Sequence, residues 1–192
     1  MEEMIMKKRY INELIDSSRG AVLRSGEVLL PDADRVKAAN KVNLLALGDV
    51  GGTVLMGLRL LGGEAVGQIG IYDLDPAMMR RYEMEINQIC FPDGRTLPEV
   101  RMLEQDELFD CDMFVFCASK GVPPVGAAGD VRMAQLEANS QLVGIYADMA
   151  VKAGFGGIFA VVSDPVDPLC KAAVLSGLAP EQVQGYGLGV MN

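Results

Sequence analysis

Short apolar runs that alternate with helix-length segments constrain this 192-residue chain more than any other feature. Val42–Leu47 (VNLLAL) is almost continuously apolar, as a strand covered on both faces requires. Glycines follow, and Val54, Leu58 and Leu61 then recur at helical spacing until Gly62 and Gly63 stop the helix. The same beat returns with Gln68–Tyr72 as a strand and Pro76–Ile89 as a helix carrying proline in its first turn. Val100–Leu103 reads as a weaker third strand and Asp112–Cys117 (DMFVFC) as a fourth. A segment rich in Gly, Pro and Ala, GVPPVGAAGD, then leads into a long helix over Val131–Ala153, with Leu136, Val143, Tyr146 and Ala150 on one apolar stripe. Ile158–Val162 is a fifth strand, Pro165–Ser176 a helix and Val183–Tyr186 a sixth strand. Strands joined by helices of this length pair in parallel through right-handed crossovers. The expected fold is therefore α/β: a doubly wound, mostly parallel sheet in a three-layer α/β/α arrangement.

The regular pattern begins only at residue 41. Residues 1–40 are more polar and end in PDADRVKAAN. They read as an N-terminal extension, either an arm that packs on a partner subunit or additional packing on the same domain. Nothing repeats at a fixed period. The opening stretch MEEMIMKKRY places acids before its bases and lacks the apolar core of a signal peptide. No window approaches the ~18 uninterrupted apolar residues of a membrane span, so a cytoplasmic location is expected.

Charge and composition narrow the chemistry. A net charge of −9 repels phosphate backbones and anionic lipid, which argues against nucleic acid and membrane surfaces as partners. A nucleotide cofactor remains compatible, because backbone N–H groups hold phosphates without basic side chains. The four cysteines, Cys90, Cys111, Cys117 and Cys170, form no CxxC pair, and the chain has no histidine. Free thiols and no metal site are the expectation. Without histidine, Ser-His-Asp, Cys-His and other His-dependent acid–base chemistry is excluded within this chain.

The first strand runs directly into Ala46-Leu47-Gly48-Asp49-Val50-Gly51, a GxGxxG fingerprint with alanine in its first place. Gly48 would let the backbone approach a pyrophosphate, and Gly51 would let the helix pack closely on the strand. A strand before it and a helix after it supply the context that gives such a fingerprint meaning. The second strand ends in Tyr72-Asp73-Leu74-Asp75, with Asp73 lying 22 residues beyond Gly51. A carboxylate there either accepts hydrogen bonds from the adenosine ribose, favouring NAD over NADP, or opens the turn before Pro76.

The order LGDVG, IYDLD, CDMFVFCAS, GVPP…DVRMAQLEAN, VVSDPVDPL and GLAPEQVQGYG resembles the lactate/malate dehydrogenase family. The resemblance covers residues 41–192 and the first half of a typical member, leaving the second, substrate domain outside this chain. It implies a Rossmann NAD-binding fold, with NAD held along Gly48, Asp49, Val50 and Gly51 and at Asp73 and Leu74. It also implies that Cys117, Ala118 and Ser119 run along the cofactor, with Ser119 where glycine is usual. Asn139, Val162 and Asp164 would lie toward the nicotinamide. Arg132, seven residues before Asn139, matches the family's substrate-polarising arginine on a mobile loop. A solvated arginine at a helix start and a helix asparagine facing water are the alternative readings of those two positions.

Three departures bear on the reaction. Pro124 stands at the loop position where the family carries glutamine for lactate or arginine for malate. Asp164 replaces the asparagine of the family's Asn-Pro-Val-Asp motif, in a peptide bond to Pro165 that the resemblance implies is cis. Aspartate accepts hydrogen bonds only and repels a carboxylate substrate. Met191 occupies the place of the aspartate that orients the catalytic histidine. The resemblance implies an oligomeric oxidoreductase that transfers hydride between nicotinamide and a small 2-hydroxy or 2-oxo compound, with Arg132 and Asp164 at its catalytic end. A non-catalytic dinucleotide-binding or sensing module stands as the alternative, and an NAD-using glycosidase of similar fold as a third.

Overall fold

A computed structural model of the chain describes residues 40–63, 65–92, 94–120 and 131–187, with only the backbone of 131–134. All but the last residue of the extension, together with Pro124 and Met191, lies outside the described residues. Among the described residues there are six strands: β1 (Asn40–Leu45), β2 (Val66–Tyr72), β3 (Glu99–Met102), β4 (Met113–Phe116), β5 (Ile158–Val161) and β6 (Val183–Gly185). Four α-helices join them: α1 (Asp49–Leu61), α2 (Pro76–Asn87), α3 (Val131–Lys152) and α4 (Val166–Leu175). The strands form one sheet in the order β3-β2-β1-β4-β5-β6, and every pairing is parallel. The chain thus winds outward from β1 in one direction, returns, and winds outward again from β4.

Alternation along the strands builds the two interior layers. Val42, Leu44, Ile69, Ile71, Val115 and Ala160 pack with Leu55 of α1 and with Met79 and Ile86 of α2. Leu45, Phe114, Phe116, Phe159 and Val161 pack instead with Val143, Ala147 and Ala150 of α3 and with Leu169 and Ala173 of α4. The rings of Phe114 and Phe159 lie 5.0 Å apart and tilted, and both are fully buried. Burying such a side chain stabilises the fold by roughly 1.5–3 kcal/mol. Asn43 is the polar exception on β1; its amide donates to the carbonyls of Glu107 (3.1 Å) and Leu108 (3.0 Å) beyond β3.

Most differences from the sequence expectation concern element ends. β1 stops at Leu45 rather than Leu47, because Ala46 turns into the left-handed region at φ 71°. Two short 3-10 turns, Gln105–Glu107 and Pro180–Gln182, carry no apolar period and leave no sequence signal. Arg59, in the last turn of α1, draws no sequence reading and is buried. Its guanidinium donates to the carbonyls of Pro98, Asn87 (3.3 Å) and Ile89 (3.0 Å), tying α1 to the end of α2 and the approach to β3.

Register decides where a ligand can meet the sheet. Leu45 is paired with both Tyr72 and Phe116, Phe116 with Val161, and Val161 with Gly185. The carboxyl ends of five strands are therefore flush. The segments leaving them emerge along one edge, on either side of the β1/β4 reversal. In open α/β sheets that crevice is where ligands bind.

Candidate cofactor-binding site

The turn between β1 and α1 is shaped by sterics. Ala46 takes φ 71°, a conformation that glycine adopts without strain and alanine does not. Its carbonyl comes so close to Gly51 that a Cβ there would stand 2.9 Å from the carbonyl carbon and inside contact distance of the oxygen. Only glycine fits at position 51. Gly48 is the opposite case, since a Cβ built on it meets nothing within 4 Å. The space above Gly48 is open, and Gly48, Asp49 and Val50 are exposed.

The N-terminus of α1 lacks a side-chain cap, its first turn closing only by the Gly52 N–H on the Gly48 carbonyl at 2.8 Å. The amides of its first turn have no partner within the helix, and the helix dipole adds about half a positive charge there. α2 contrasts with it: Asp75 caps that helix by accepting from the Ala77 N–H at 2.9 Å. α4, which starts at the same edge after β5, also lacks a side-chain cap, so what sets α1 apart is its place at the reversal beside the open face of Gly48.

Asp73 does two things at the end of β2. One carboxylate oxygen accepts the Leu47 N–H at 2.7 Å, and the other accepts the Asp75 N–H at 3.0 Å. The carboxylate thus holds the glycine turn and also forms the turn before Pro76. Half-exposed, it keeps acceptor capacity free on both oxygens. Leu74 beside it is 85% exposed. On the inner side, the Tyr82 hydroxyl of α2 packs against Gly52, where a Cβ would lie 2.5 Å from the oxygen. Sequence reasoning missed Gly52, although a second glycine directly after the fingerprint was a visible signal.

Across the reversal, Cys117 backs the glycine turn, its Cβ lying 3.5 Å from a Cβ built on Gly51. Burial pushes its thiol pKa up to about 12, so it lines the turn as a neutral group. The Ala118 carbonyl accepts from the buried Ser163 hydroxyl at 2.7 Å, a contact with no sequence signal because Ser163 precedes the recognisable motif. Val162 donates its N–H to the Phe116 carbonyl at 3.0 Å and is half-buried. Asp164 is exposed, and its bond to Pro165 is cis, as the family resemblance implies.

Asn139 is fully buried rather than facing water. Its Oδ1 accepts the Lys120 N–H at 2.8 Å, while its Nδ2 donates to the Asp164 carbonyl at 2.8 Å and to Ser119 Oγ at 3.3 Å. Arg132 is the second residue of α3, and its side chain lies outside the described set. The structure thus brings the fingerprint, Asp73, Cys117–Ser119, Asn139 and Val162–Asp164 to one edge. Among the described residues no group of His, Cys, Asp or Glu has the arrangement to hold a metal.

Comparison with known proteins supplies kinship. No family model matches the chain. L-lactate dehydrogenase 1 of Staphylococcus aureus strain MRSA252 is 30% identical over 149 residues, covering 77% of this chain and 45% of that protein. The chain therefore spans less than half the length of the curated relatives it matches. Among solved structures, a lactate dehydrogenase from a Medee basin deep-sea metagenome library superposes with a TM-score of 0.64 at 24% identity, over 77% of this chain and 45% of that one. Malate dehydrogenase of Cryptosporidium parvum gives the same score at 18% identity and the same coverage. Lactate dehydrogenase of Eimeria maxima, solved with NADH and oxamate, gives 0.63 at 19% identity over 78% of this chain and 44% of that one. These superpositions show the fold, and the sequence match adds a likeness to L-lactate dehydrogenases over 45% of their length.

Proposed function

We propose that this chain binds NAD(H), and that the whole protein transfers hydride between nicotinamide and a small 2-hydroxy or 2-oxo compound. The observation that carries the reading is the bare N-terminus of α1 beside the open face of Gly48, at the reversal of the sheet. A pyrophosphate there takes its hydrogen bonds from the amides of Asp49, Val50 and Gly51 and its charge balance from the helix dipole. Asp73 has acceptor capacity left for the adenosine ribose and repels a 2′-phosphate, while Leu74 flanks it with apolar surface. Cys117, Ala118 and Ser119, with Val162 and Asp164, form the wall on the other side of the reversal. Bound NAD supplies the hydride donor or acceptor. The family resemblance assigns Arg132, the second residue of α3, to the polarisation of a substrate carbonyl and Asp164 to the same end of the ligand. The S. aureus relatives are named as L-lactate dehydrogenases, and a small organic acid of that kind is the substrate class they suggest. No helix among the described residues is long and apolar enough to cross a membrane, and a cytoplasmic homo-oligomer is part of the proposal.

One observation favours the alternative, a dinucleotide-binding module without catalysis. Asp164 offers only acceptors where the family carries an amide.

Titration calorimetry with NADH and NADPH tests the reading. The parent chain is expected to bind NADH more tightly. Asp73→Asn, which keeps an oxygen for the Leu47 N–H but loses the charge, should narrow that preference. Equal affinity of the parent for both cofactors would refute the ribose assignment.

A further inference from the structure

Among the described side chains, the fully buried stripe of α3 that faces the sheet is apolar except at one place. Val143, Ala147 and Ala150 are fully buried, and so is Asn139, with 0% exposure. An amide in such a position destabilises the fold unless its polar atoms are paired. Here they are paired with groups far away in sequence: Lys120 N–H is 19 residues off, Ser119 Oγ 20 and Asp164 C=O 25. Both N–H bonds of the side-chain amide and one lone pair of its oxygen are used. A leucine would pack in the stripe as well as its neighbours do. The asparagine does something a leucine does not, which is to hold the segment after β4 and the segment after β5 at a fixed separation.

Those two segments form the β4–β5 side of the crevice. In a doubly wound sheet the adenosine half of a dinucleotide lies over β1 and β2, and the other nucleotide lies over the strands beyond the reversal. We propose that Asn139 is a positioning residue for that second half: it touches no ligand and sets the Ser119–Lys120 and Ser163–Asp164 segments at the spacing the nicotinamide nucleoside requires. The inference rests on the NAD-binding reading and goes further by assigning the two halves of the ligand to separate supports. The adenosine half depends on Gly48, Gly51 and Asp73, none of which bonds to Asn139.

Asn139→Asp is the informative variant. It is isosteric, keeps an acceptor for the Lys120 N–H, and turns a carboxylate oxygen toward the Asp164 carbonyl in place of a donor. Asn139→Leu removes both arms. NADH and ADP are titrated calorimetrically against the parent chain and both variants, ADP reporting the adenosine half alone. NADH affinity is expected to fall about tenfold in Asn139→Asp, as an unsatisfied buried polar pair implies, with ADP affinity changed by less than about twofold. Amide hydrogen exchange gives a second readout, the Lys120 N–H staying protected in Asn139→Asp and losing protection in Asn139→Leu. A parallel fall in NADH and ADP affinity would reveal general destabilisation and overturn the proposal. So would unchanged NADH binding in both variants, or a parent chain that binds ADP but not NADH. A parent that binds neither ligand refutes the dinucleotide reading itself, and this inference with it.

Discussion

Three glycines within one turn and helix should respond to alanine in three different ways. Gly57 lies inside α1 with nothing within 4 Å of a built Cβ. Alanine there gains helix propensity worth about 1 kcal/mol, a rise in Tm of roughly 2–4 °C for a domain of this size. Gly48 has φ −63° and open space above it, so alanine fits, losing at most about 0.5–1 kcal/mol through a poorer N-cap. A methyl group at that place nevertheless occupies the approach of a pyrophosphate, and NADH affinity should drop although the fold is intact. Gly51 has no room. Its Cβ would stand 2.9 Å from the Ala46 carbonyl carbon, with the Cys117 Cβ 3.5 Å away on another side. Ala46 cannot retreat easily, because the left-handed turn that aims its carbonyl also delivers the chain into α1. Overpacking of this kind costs 1–3 kcal/mol or more, and the helix-propensity gain offsets at most about 1. A net loss of about 1–2 kcal/mol, or a Tm lower by about 2–8 °C, is expected, together with weaker NADH binding. Thermal denaturation followed by circular dichroism and NADH calorimetry on the three variants separate the effects. A Gly51→Ala variant that melts at or above the parent would refute the steric account of the turn. Undiminished NADH binding by Gly48→Ala would show that no phosphate descends onto Gly48.

Two further outcomes are expected. The chain alone should not oxidise NADH with pyruvate, oxaloacetate or longer 2-oxo acids: with no histidine it lacks the usual proton donor, a loss of about 10²–10⁴ in rate, and Asp164 repels an anionic substrate. NADH consumption above the enzyme-free rate, followed by absorbance, would show that another residue delivers the proton. In native protein at mildly alkaline pH, iodoacetamide should modify the exposed Cys90 and spare Cys111 and Cys117, whose thiols burial pushes up to about 12. Because these two pKa values are raised by folding, their contribution to stability is complete below the ordinary thiol range and declines as pH climbs from about 9 toward 12. Urea titrations across that interval should show stability falling with pH, and equal labelling of all four cysteines would contradict the burial.

The sheet was legible because its strands are covered on both faces. Burial of both faces forces nearly unbroken apolar runs, and six such runs with helices between them leave few topologies. What sequence could not show is conformation hidden behind an ordinary residue. Alanine at position 46 suggests a continuing strand, yet it adopts the turn for which glycine is normally reserved. Nor could it show which polar residues the interior consumes. Arg59 draws no reading from the sequence and Asn139 reads toward the nicotinamide or as facing water, yet both are buried, and their partners are mostly backbone carbonyls and amides, which every residue possesses. No side-chain identity marks such a partner. Asp73 was half legible: its place before Pro76 suggested the turn that it forms through the Asp75 N–H, while its grip on the Leu47 N–H depends on a flush register that only the folded sheet provides.

The same distinction explains why the two sides of the crevice have fared differently. On the β1–β2 side the ligand's support is mostly backbone: amides, a helix end and the absence of two Cβ atoms. A support of that kind tolerates Ala46, because the chain keeps the same path with a methyl group added. On the β4–β5 side the proposed support is side-chain chemistry, and there the chain departs from the family it resembles at Ser119 and Asp164, as it does in sequence at Pro124 and Met191. Replacing an amide by a carboxylate at position 164 removes a donor outright, and no adjustment of the backbone returns it. Binding of a dinucleotide and reaction of a substrate therefore rest on separable physical supports in this fold. The first is carried by geometry that this sequence retains. On the proposed reading the second depends on functional groups that the family resemblance assigns to positions this sequence has exchanged, so an altered substrate or a lost reaction is compatible with undiminished cofactor binding.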